Sequence, residues 1–100
     1  MELLFDWDPK KAKCNLSKHG VSFEDAMGVF FDPDALTIFD GDNSGDEDRW
    51  ITLGAAQGLK LLLVVHTHVE MNDETALIRI ISARRPTRRE AAQYRHRVER

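Results

Sequence analysis

The sequence predicts an α+β fold in which two N-terminal helices and a basic C-terminal helix pack against an antiparallel sheet. Three observations predict it. Helix-capping residues mark the first third of the chain, four apolar segments of strand length follow, and the last segment combines arginines with helical periodicity. A length of 100 residues suits one modest core, so we expect residues 1–100 to form a single domain.

The first two helices are recognised by the residues at their ends. In "DPKKAKCNLSKHG", Asp8 suits the N-cap, Pro9 the first helical position and Gly20 the C-terminal end. Ser22 begins a second helix, because it has capping-box spacing to an aspartate and precedes apolar residues at near-helical intervals. We expect this helix to end before Pro33.

The pattern in the middle of the chain predicts strands joined by hairpin loops. The separators "DGDNSGDED", "AAQG" and "VEMNDET" are rich in turn residues, so we expect an antiparallel sheet. A short strand is also predicted at "LLFDW", near the N-terminus. The four main strands are predicted at residues 35–39, 49–54, 59–68 and 76–83.

The last helix is predicted to begin at Thr87, which has capping-box spacing to Glu90. At about 100° per residue its apolar side chains form only a narrow stripe. That stripe consists of Ala91, Tyr94 and Val98, and the other faces carry Arg89, Arg97 and Arg100.

Charge is unevenly distributed along the chain. The net charge is −3, yet residues 24–48 hold nine acidic side chains and no basic one, whereas residues 79–100 hold eight arginines. Binding depends on the local field, so the basic end can attract a polyanion despite the acidic average. The alternative is that these arginines only solvate a helix start.

Other bulk features exclude several classes of protein. A single cysteine, Cys14, excludes an internal disulfide framework and fits a reducing compartment. The longest apolar run, Leu61 to Val65, is far shorter than the roughly 18 residues of a membrane span. The N-terminus lacks the pattern of a signal peptide. We therefore expect a cytoplasmic protein without membrane contact.

Strand alternation suggests where polar side chains converge. If the helices cover the fully apolar sets of each strand, the opposite sheet face is exposed and polar. That face would carry Trp50, Lys60, His66, His68 and Arg79, with Arg84 and Arg85 at its edge.

Such a face suits single-stranded RNA. Guanidinium groups hold phosphates, an exposed tryptophan stacks an unpaired base, and histidine moves protons near neutral pH. RNA cleavage by 2′-OH attack needs these groups and no metal, so no cofactor is expected. "HTHVE" and the acidic loop "DGDNSGDED" are the candidate metal sites, but neither completes a ligand set.

Several segments together resemble one family across nearly the whole chain. They are "FDWDPKKAKCNLSKHGVSFEDAMGVFFDPDAL", "RWITLG", "LLVVHT" and "RIISARRPTRRE", and they resemble BrnT toxins of bacterial type II toxin–antitoxin systems. The resemblance implies a RelE-like fold and a ribonuclease that inhibits translation. It also implies a BrnA-type antitoxin with a ribbon-helix-helix DNA-binding part, through which the complex contacts operator DNA.

The resemblance also implies functional residues. By position, the matching polar residues are Lys18, His19, Arg49, His66, Arg79, Arg84, Arg88 and Tyr94. The chain departs from the family in having His68, Val69 and Glu70 after "HT", where many members have an acidic residue and an arginine. It also has Pro86, where alanine is common.

Residues and resemblance combine into one hypothesis, a metal-independent endoribonuclease. His66 would be the general base or acid, and Arg79 and Arg84 would stabilise the phosphorane. RNA-binding residues would be Lys18, His19, Arg49, Trp50, Arg85, Arg88 and Tyr94. The alternative is a non-catalytic module that holds an acidic protein or nucleic acid on the same basic surface.

Overall fold

The computed structural model describes residues 1–99, apart from the side chain of Leu59. Arg100, predicted on the solvent side of the last helix, lies outside the described residues. The elements in order are β1 (Glu2–Asp6), α1 (Pro9–His19), α2 (Phe23–Ala26), a 3₁₀ segment (Met27–Phe31), β2 (Leu36–Phe39), β3 (Trp50–Ala55), a 3₁₀ turn (Gln57–Leu59), β4 (Leu61–His66), β5 (Val69–Glu70), β6 (Thr75–Arg84) and α3 (Arg88–Val98). The predicted α+β class and its three helices are confirmed.

The sheet is mixed, so the prediction of an antiparallel sheet is wrong at one pair. The strand order is β1-β6-β4-β3-β2, and β5 adds to β6. The hairpin neighbours are antiparallel, but β1 runs parallel to β6, with Glu2 opposite Thr75 and Asp6 opposite Arg79. No hairpin loop joins these two strands, because the helices and the other strands lie between them in sequence.

The helix ends form as their sequences predict. The Asp8 side chain accepts a hydrogen bond from the Lys10 amide at 2.9 Å, and Gly20 adopts a left-handed φ of 69° at the end of α1. Thr87 and Glu90 complete a capping box at α3. The segment after Ser22 differs from the prediction, since its second half tightens into 3₁₀ geometry.

The core lies between the sheet and the two N-terminal helices, α1 and α2. Phe23 is fully buried at its centre, beside Val29, Val64, Ile78 and Ile80. This is the face that carries His66, so the prediction that the helices cover the opposite face is wrong. Strand β4 is apolar on both faces, and its alternation therefore could not decide between them.

The opposite face of the sheet is covered only in part, by α3. Tyr94 donates a hydrogen bond to Asp32 at 2.6 Å, and Arg97 donates one to the Asp34 carbonyl at 3.1 Å. Both contacts hold α3 near the start of β2, and Ile38 stays 62% exposed beyond it. Within residues 1–99, no helix is long and apolar enough to cross a bilayer.

Candidate functional site

Two adjoining cavities form a basic groove beside the N-terminus of α3. The first, of about 450 Å³, is lined by His19, Asp25, Lys60 and Arg85 among other residues. The second, of about 540 Å³, shares Arg85 and continues along α3. We call the set His19, Lys60, Arg85, Arg88 and Arg95 the cationic groove.

The cationic groove collects residues from distant parts of the chain. His19 is the last residue of α1, Lys60 precedes β4 and Arg85 follows β6. One buried amide fixes the spacing of the first and the last of these elements. Asn15 of α1 donates to the Val21 and Ala83 carbonyls at 2.9 and 2.8 Å, and accepts from the Ala83 amide at 3.0 Å. Asn15 therefore locks the end of α1 to the end of β6.

The side chains of the groove are free to meet an anion. His19, Lys60, Arg85, Arg88 and Arg95 are exposed, and the two salt bridges among residues 1–99 involve other arginines. The N-terminus of α3 adds partial positive charge at the same place. The groove therefore suits a chain of phosphates.

Arg84 does not belong to this free set. Its guanidinium donates to both carboxylate oxygens of Glu90, at 2.9 and 3.0 Å. The hydrogen bond from Arg84 is the main cause that lowers the pKa of Glu90 to about 2, and the same contact raises the pKa of Arg84. This fork-to-fork pair anchors α3 to β6.

A second hollow, of about 340 Å³, lies at the opposite end of strands β3 and β4. It is lined by Thr37, Asp48, Trp50, His66 and His68, and we call it the aromatic hollow. The ring of Trp50 packs edge-on against an exposed phenylalanine of β2, Phe39, at 5.2 Å between centroids.

His66 forms the wall of this hollow but is only 2% exposed. Its Nδ1–H donates to the Thr67 carbonyl at 3.0 Å, so Nε2 accepts from the Thr52 hydroxyl at 2.7 Å. Thr52 in turn bonds Thr37 at 2.8 Å. The ring also packs edge-on against Phe30 at 4.7 Å.

These surroundings keep the His66 ring neutral. Burial is the main cause that lowers the pKa of His66 to about 4; the Thr67 carbonyl opposes this effect, and nearby His68 adds to it. Both ring nitrogens are occupied within the fold. The geometry therefore gives His66 a structural environment.

The structure does not bring the predicted catalytic residues together. His66 faces the core, whereas Arg79 lies on the other sheet face and pairs with Asp6 at 3.3 Å. Arg84 is held by Glu90 near the other end of β6. The prediction that His66 and Arg79 share one exposed face, with Arg84 at its edge, is therefore wrong.

The predicted RNA-binding residues divide between the two regions. His19, Arg85 and Arg88 line the groove, and Lys18 lines an adjacent cavity with His19. Trp50, the first residue of β3, lines the aromatic hollow, and Arg49 directly precedes it. The Tyr94 hydroxyl is directed to Asp32. Four of the seven residues therefore lie in or beside the groove.

Two residues that shape the groove escape prediction from the sequence. From the sequence, Asp25 is only the partner of Ser22 in a capping box. Asn15 is only one of the polar residues within α1. Asn15 leaves no signal in the sequence, because asparagine is usually exposed, whereas here it is the buried residue of α1. Among the described residues, no group of three or more His, Cys, Asp or Glu side chains is placed to hold a metal ion.

Fold and groove together define a small α+β protein with a surface for a polyanion. The sequence matches, over residues 7–90, the family described as the ribonuclease toxin BrnT of type II toxin–antitoxin systems. The chain belongs to this BrnT family, which implies an RNA substrate and an antitoxin partner.

A solved structure has a similar fold. The chain is similar to the Brucella abortus ribonuclease toxin BrnT, whose crystal structure was determined at 1.1 Å resolution. The TM-score is 0.62 and the identity 21%, over 88% of this chain and 100% of that one. At this identity the likeness shows a shared fold. No curated protein matches the chain.

Proposed function

We propose that the chain is an endoribonuclease that cuts RNA in the cationic groove without a metal ion. The observation that carries the proposal is the meeting of His19, Lys60 and Arg85 around one open cavity. A proton-transferring side chain and two cations are the groups that phosphodiester cleavage requires. The RelE-like fold implied by the resemblance is part of the same proposal.

The proposed reaction is an internal transfer. The 2′ oxygen forms a bond to phosphorus as the bond from phosphorus to the 5′ oxygen breaks, which leaves a 2′,3′-cyclic phosphate and a 5′-hydroxyl. His19 accepts the proton of the 2′-OH, and Lys60 supplies a proton to the leaving 5′ oxygen. Arg85 faces the charge that develops on the phosphorane.

Other groove residues hold the RNA on either side of this centre. Asp25 lines the same cavity and offsets part of its positive charge. Arg88 and Arg95 continue the basic wall along α3, where they contact neighbouring phosphates. Lys18, on the other side of His19, extends this path towards α1.

This proposal assigns proton transfer to His19 rather than to His66. The two histidines differ in access: the His19 ring is exposed in the groove, whereas both ring nitrogens of His66 are bonded inside the fold. Arg84 acts through Glu90 and α3, as a positioning residue for Arg85 and Arg88. Arg79, at the β1 edge, lies outside the proposed centre.

Cleavage of messenger RNA by this groove would inhibit translation, and a BrnA-type antitoxin would neutralise it. Expression of the chain alone should therefore arrest growth and lower incorporation of labelled amino acids. Co-expression with the cognate antitoxin should restore both. Normal growth at high levels of folded toxin would contradict this part of the proposal.

The direct test is incubation of purified protein with single-stranded RNA in EDTA. We expect products with 2′,3′-cyclic phosphate ends, and a loss of about 10²-fold or more in rate for His19→Ala. His68→Ala is the matched control, because it removes an exposed histidine from the other region. Its rate should stay within about 3-fold of the parent, which corresponds to less than about 1 kcal/mol.

Two results would overturn the proposal. RNA retained without cleavage would favour the alternative, a non-catalytic binding module on the same surface. Full activity of folded His19→Ala would place the reaction elsewhere. Circular dichroism and thermal unfolding of each variant separate loss of activity from loss of fold.

A further inference from the structure

Strand β2 forms an open edge of the sheet. It pairs with β3 on one side, and no other strand among residues 1–99 pairs with its second side. Its side chains are unusually apolar for such a position: Ile38 is 62% and Phe39 49% exposed. Exposed apolar edge strands invite pairing with another chain, and proteins usually protect them.

The hydrogen-bond pattern shows which backbone groups face outwards. The Asp40 amide donates to the Arg49 carbonyl at 2.8 Å, so this opposed pair is of the hydrogen-bonded kind. Hydrogen-bonded and non-hydrogen-bonded pairs alternate along an antiparallel ladder, so the backbone N–H and C=O of Ile38 point towards β3. The N–H and C=O of Thr37 and Phe39 then point away from the sheet.

The side chains of these same two residues border the aromatic hollow. Thr37 lines it, and the Phe39 ring packs on Trp50 at 5.2 Å. A strand added to β2 would therefore place its alternate side chains over the hollow. The rim offers a carboxylate, Asp48, and the indole of Trp50.

Charge decides what kind of side chain suits the hollow. The loop between β2 and β3 exposes four carboxylates, those of Asp42, Asp46, Glu47 and Asp48. Phosphate would be repelled there. An arginine or lysine would instead be attracted by the carboxylates and stabilised over the Trp50 ring.

We propose that the β2 edge and the aromatic hollow form the docking surface for the cognate antitoxin. The occupant is an extended segment that pairs with the backbone of Thr37 and Phe39, covers Ile38 and inserts a basic side chain against Trp50 and Asp48. The partner follows from membership in a toxin–antitoxin family. Only the consequence of docking, which is neutralisation of the proposed RNA cleavage, rests on the proposed function.

This surface lies at the other end of β4 from the cationic groove. The antitoxin can therefore be recognised by features that RNA does not share: an apolar strand and positive charge. Because about 20 Å separates the two surfaces along β4 and the Debye length is about 8 Å at physiological salt, substitutions in one should leave binding at the other nearly unchanged.

Affinity for the purified antitoxin tests the surface, with His19→Ala as the background so that the toxin can be produced. Asp48→Lys and Ile38→Lys should each weaken binding by about 30-fold or more, because one reverses the attracting charge and the other puts a charge under the added strand. Asp73→Lys, an identical charge reversal in the β5–β6 turn, is the control and should stay within about 2-fold.

Amide hydrogen exchange identifies the pairing itself. On binding, the amides of Thr37 and Phe39 should exchange at least about 10-fold more slowly, whereas that of Ile38 is already bonded to β3 and should change less. A contact made by side chains alone would not produce this alternating protection of backbone amides.

Three results would overturn the proposal. They are unchanged affinity of Asp48→Lys and Ile38→Lys, protection confined to α3 and the groove, or occupation of the β2 edge by a second copy of this chain in sedimentation experiments. Loss of the proposed function is seen separately, as absence of RNA cleavage by the parent protein. Asp48→Lys and Ile38→Lys in the parent should keep that cleavage.

Discussion

The cationic groove and the aromatic hollow lie at the two ends of β4 and use histidine in opposite ways. The six residues Leu61–His66 separate Lys60 from the hollow, which is about 20 Å at about 3.3 Å per residue. His19 is exposed among cations at one end, and His66 is buried in a chain of hydroxyls at the other. Surroundings, not residue type, therefore determine which histidine is accessible to a substrate.

The two regions also differ in what supports them. The groove consists of long exposed side chains whose backbone is fixed by Asn15 and by the Arg84–Glu90 pair. The hollow has a rigid wall, since the hydrogen bonds from Thr37 through Thr52 to His66 join three strands. Substitutions in the groove should therefore alter RNA binding, and those in the hollow wall should alter stability.

The largest expected effect on RNA binding comes from reversing a groove charge. Arg85→Glu should lower affinity for single-stranded RNA by about 10²-fold at low salt, because it removes a charged hydrogen bond and adds repulsion. The slope of log affinity against log salt should fall by about 0.7 for each phosphate that the variant no longer neutralises. Binding titrations over a salt series measure both quantities.

Arg79→Glu is the matched control for that prediction. Arg79 is an exposed arginine on the strand that leads to Arg85, but it pairs with Asp6 away from the groove. We expect less than about a 3-fold change in affinity, the range of a surface salt bridge. An equal loss in both variants would mean that RNA follows β6 rather than the groove.

The second prediction concerns the hollow and its dependence on pH. The pKa of His66 falls from 6.5 to about 4 on folding, so protons bind more readily to the unfolded chain. The stability contribution is fully present above pH 6.5 and is lost as pH falls from 6.5 towards 4. At about 1.4 kcal/mol per pKa unit, the loss is about 3 kcal/mol.

Urea unfolding of the parent protein and of His66→Gln checks this prediction. The variant should be less stable at pH 7, and its stability should change less between pH 7 and pH 4.5. Glu90 does not affect this comparison. Folding lowers its pKa from 4.5 to about 2, so its contribution to stability is lost only as pH falls below 4.5. Identical pH profiles for the two proteins would show that His66 titrates normally.

Local signals predicted much of the fold. Caps at Asp8, Ser22 and Thr87 indicated three helices, and the turn-rich separators indicated the hairpin strands, because these features depend on neighbouring residues. The pairing of β1 with β6 depends on contacts between residues more than 70 positions apart, as Glu2 and Thr75 are. No local pattern encodes such a partner.

For the candidate site, the sequence predicted some of the residues but not their contacts. The arginine block and "KHG" do contain groove residues, among them His19, Arg85 and Arg88. Two physical facts escaped the pattern. A polar residue can be buried when its hydrogen bonds are satisfied, as those of His66 are. An arginine can also be held by a carboxylate six residues later, as Arg84 is by Glu90.

The smallest expected effect is at Tyr94, and it decides how far the groove extends along α3. The Tyr94 hydroxyl donates to Asp32 at 2.6 Å, and the same carboxylate oxygen accepts from the Ala55 amide at 2.7 Å. Burial and the bond to Asp32 raise the pKa of Tyr94 to about 12, so it remains a donor at neutral pH. Burial opposes ionisation of Asp32, but the bonds from Tyr94, Ala55 and Asp34 outweigh it and lower the pKa of Asp32.

Tyr94→Phe should therefore lower the free energy of unfolding by about 1 kcal/mol, the value of one hydrogen bond, since Asp32 keeps its amide donors. RNA cleavage should stay within about 3-fold, because the hydroxyl is directed away from the groove. Thermal unfolding and cleavage assays on the same preparation measure both. A stable Tyr94→Phe protein that loses cleavage by about 10²-fold would instead mean that RNA displaces the bond to Asp32. The groove would then reach the middle of α3, and Tyr94 would bind RNA as the sequence predicts.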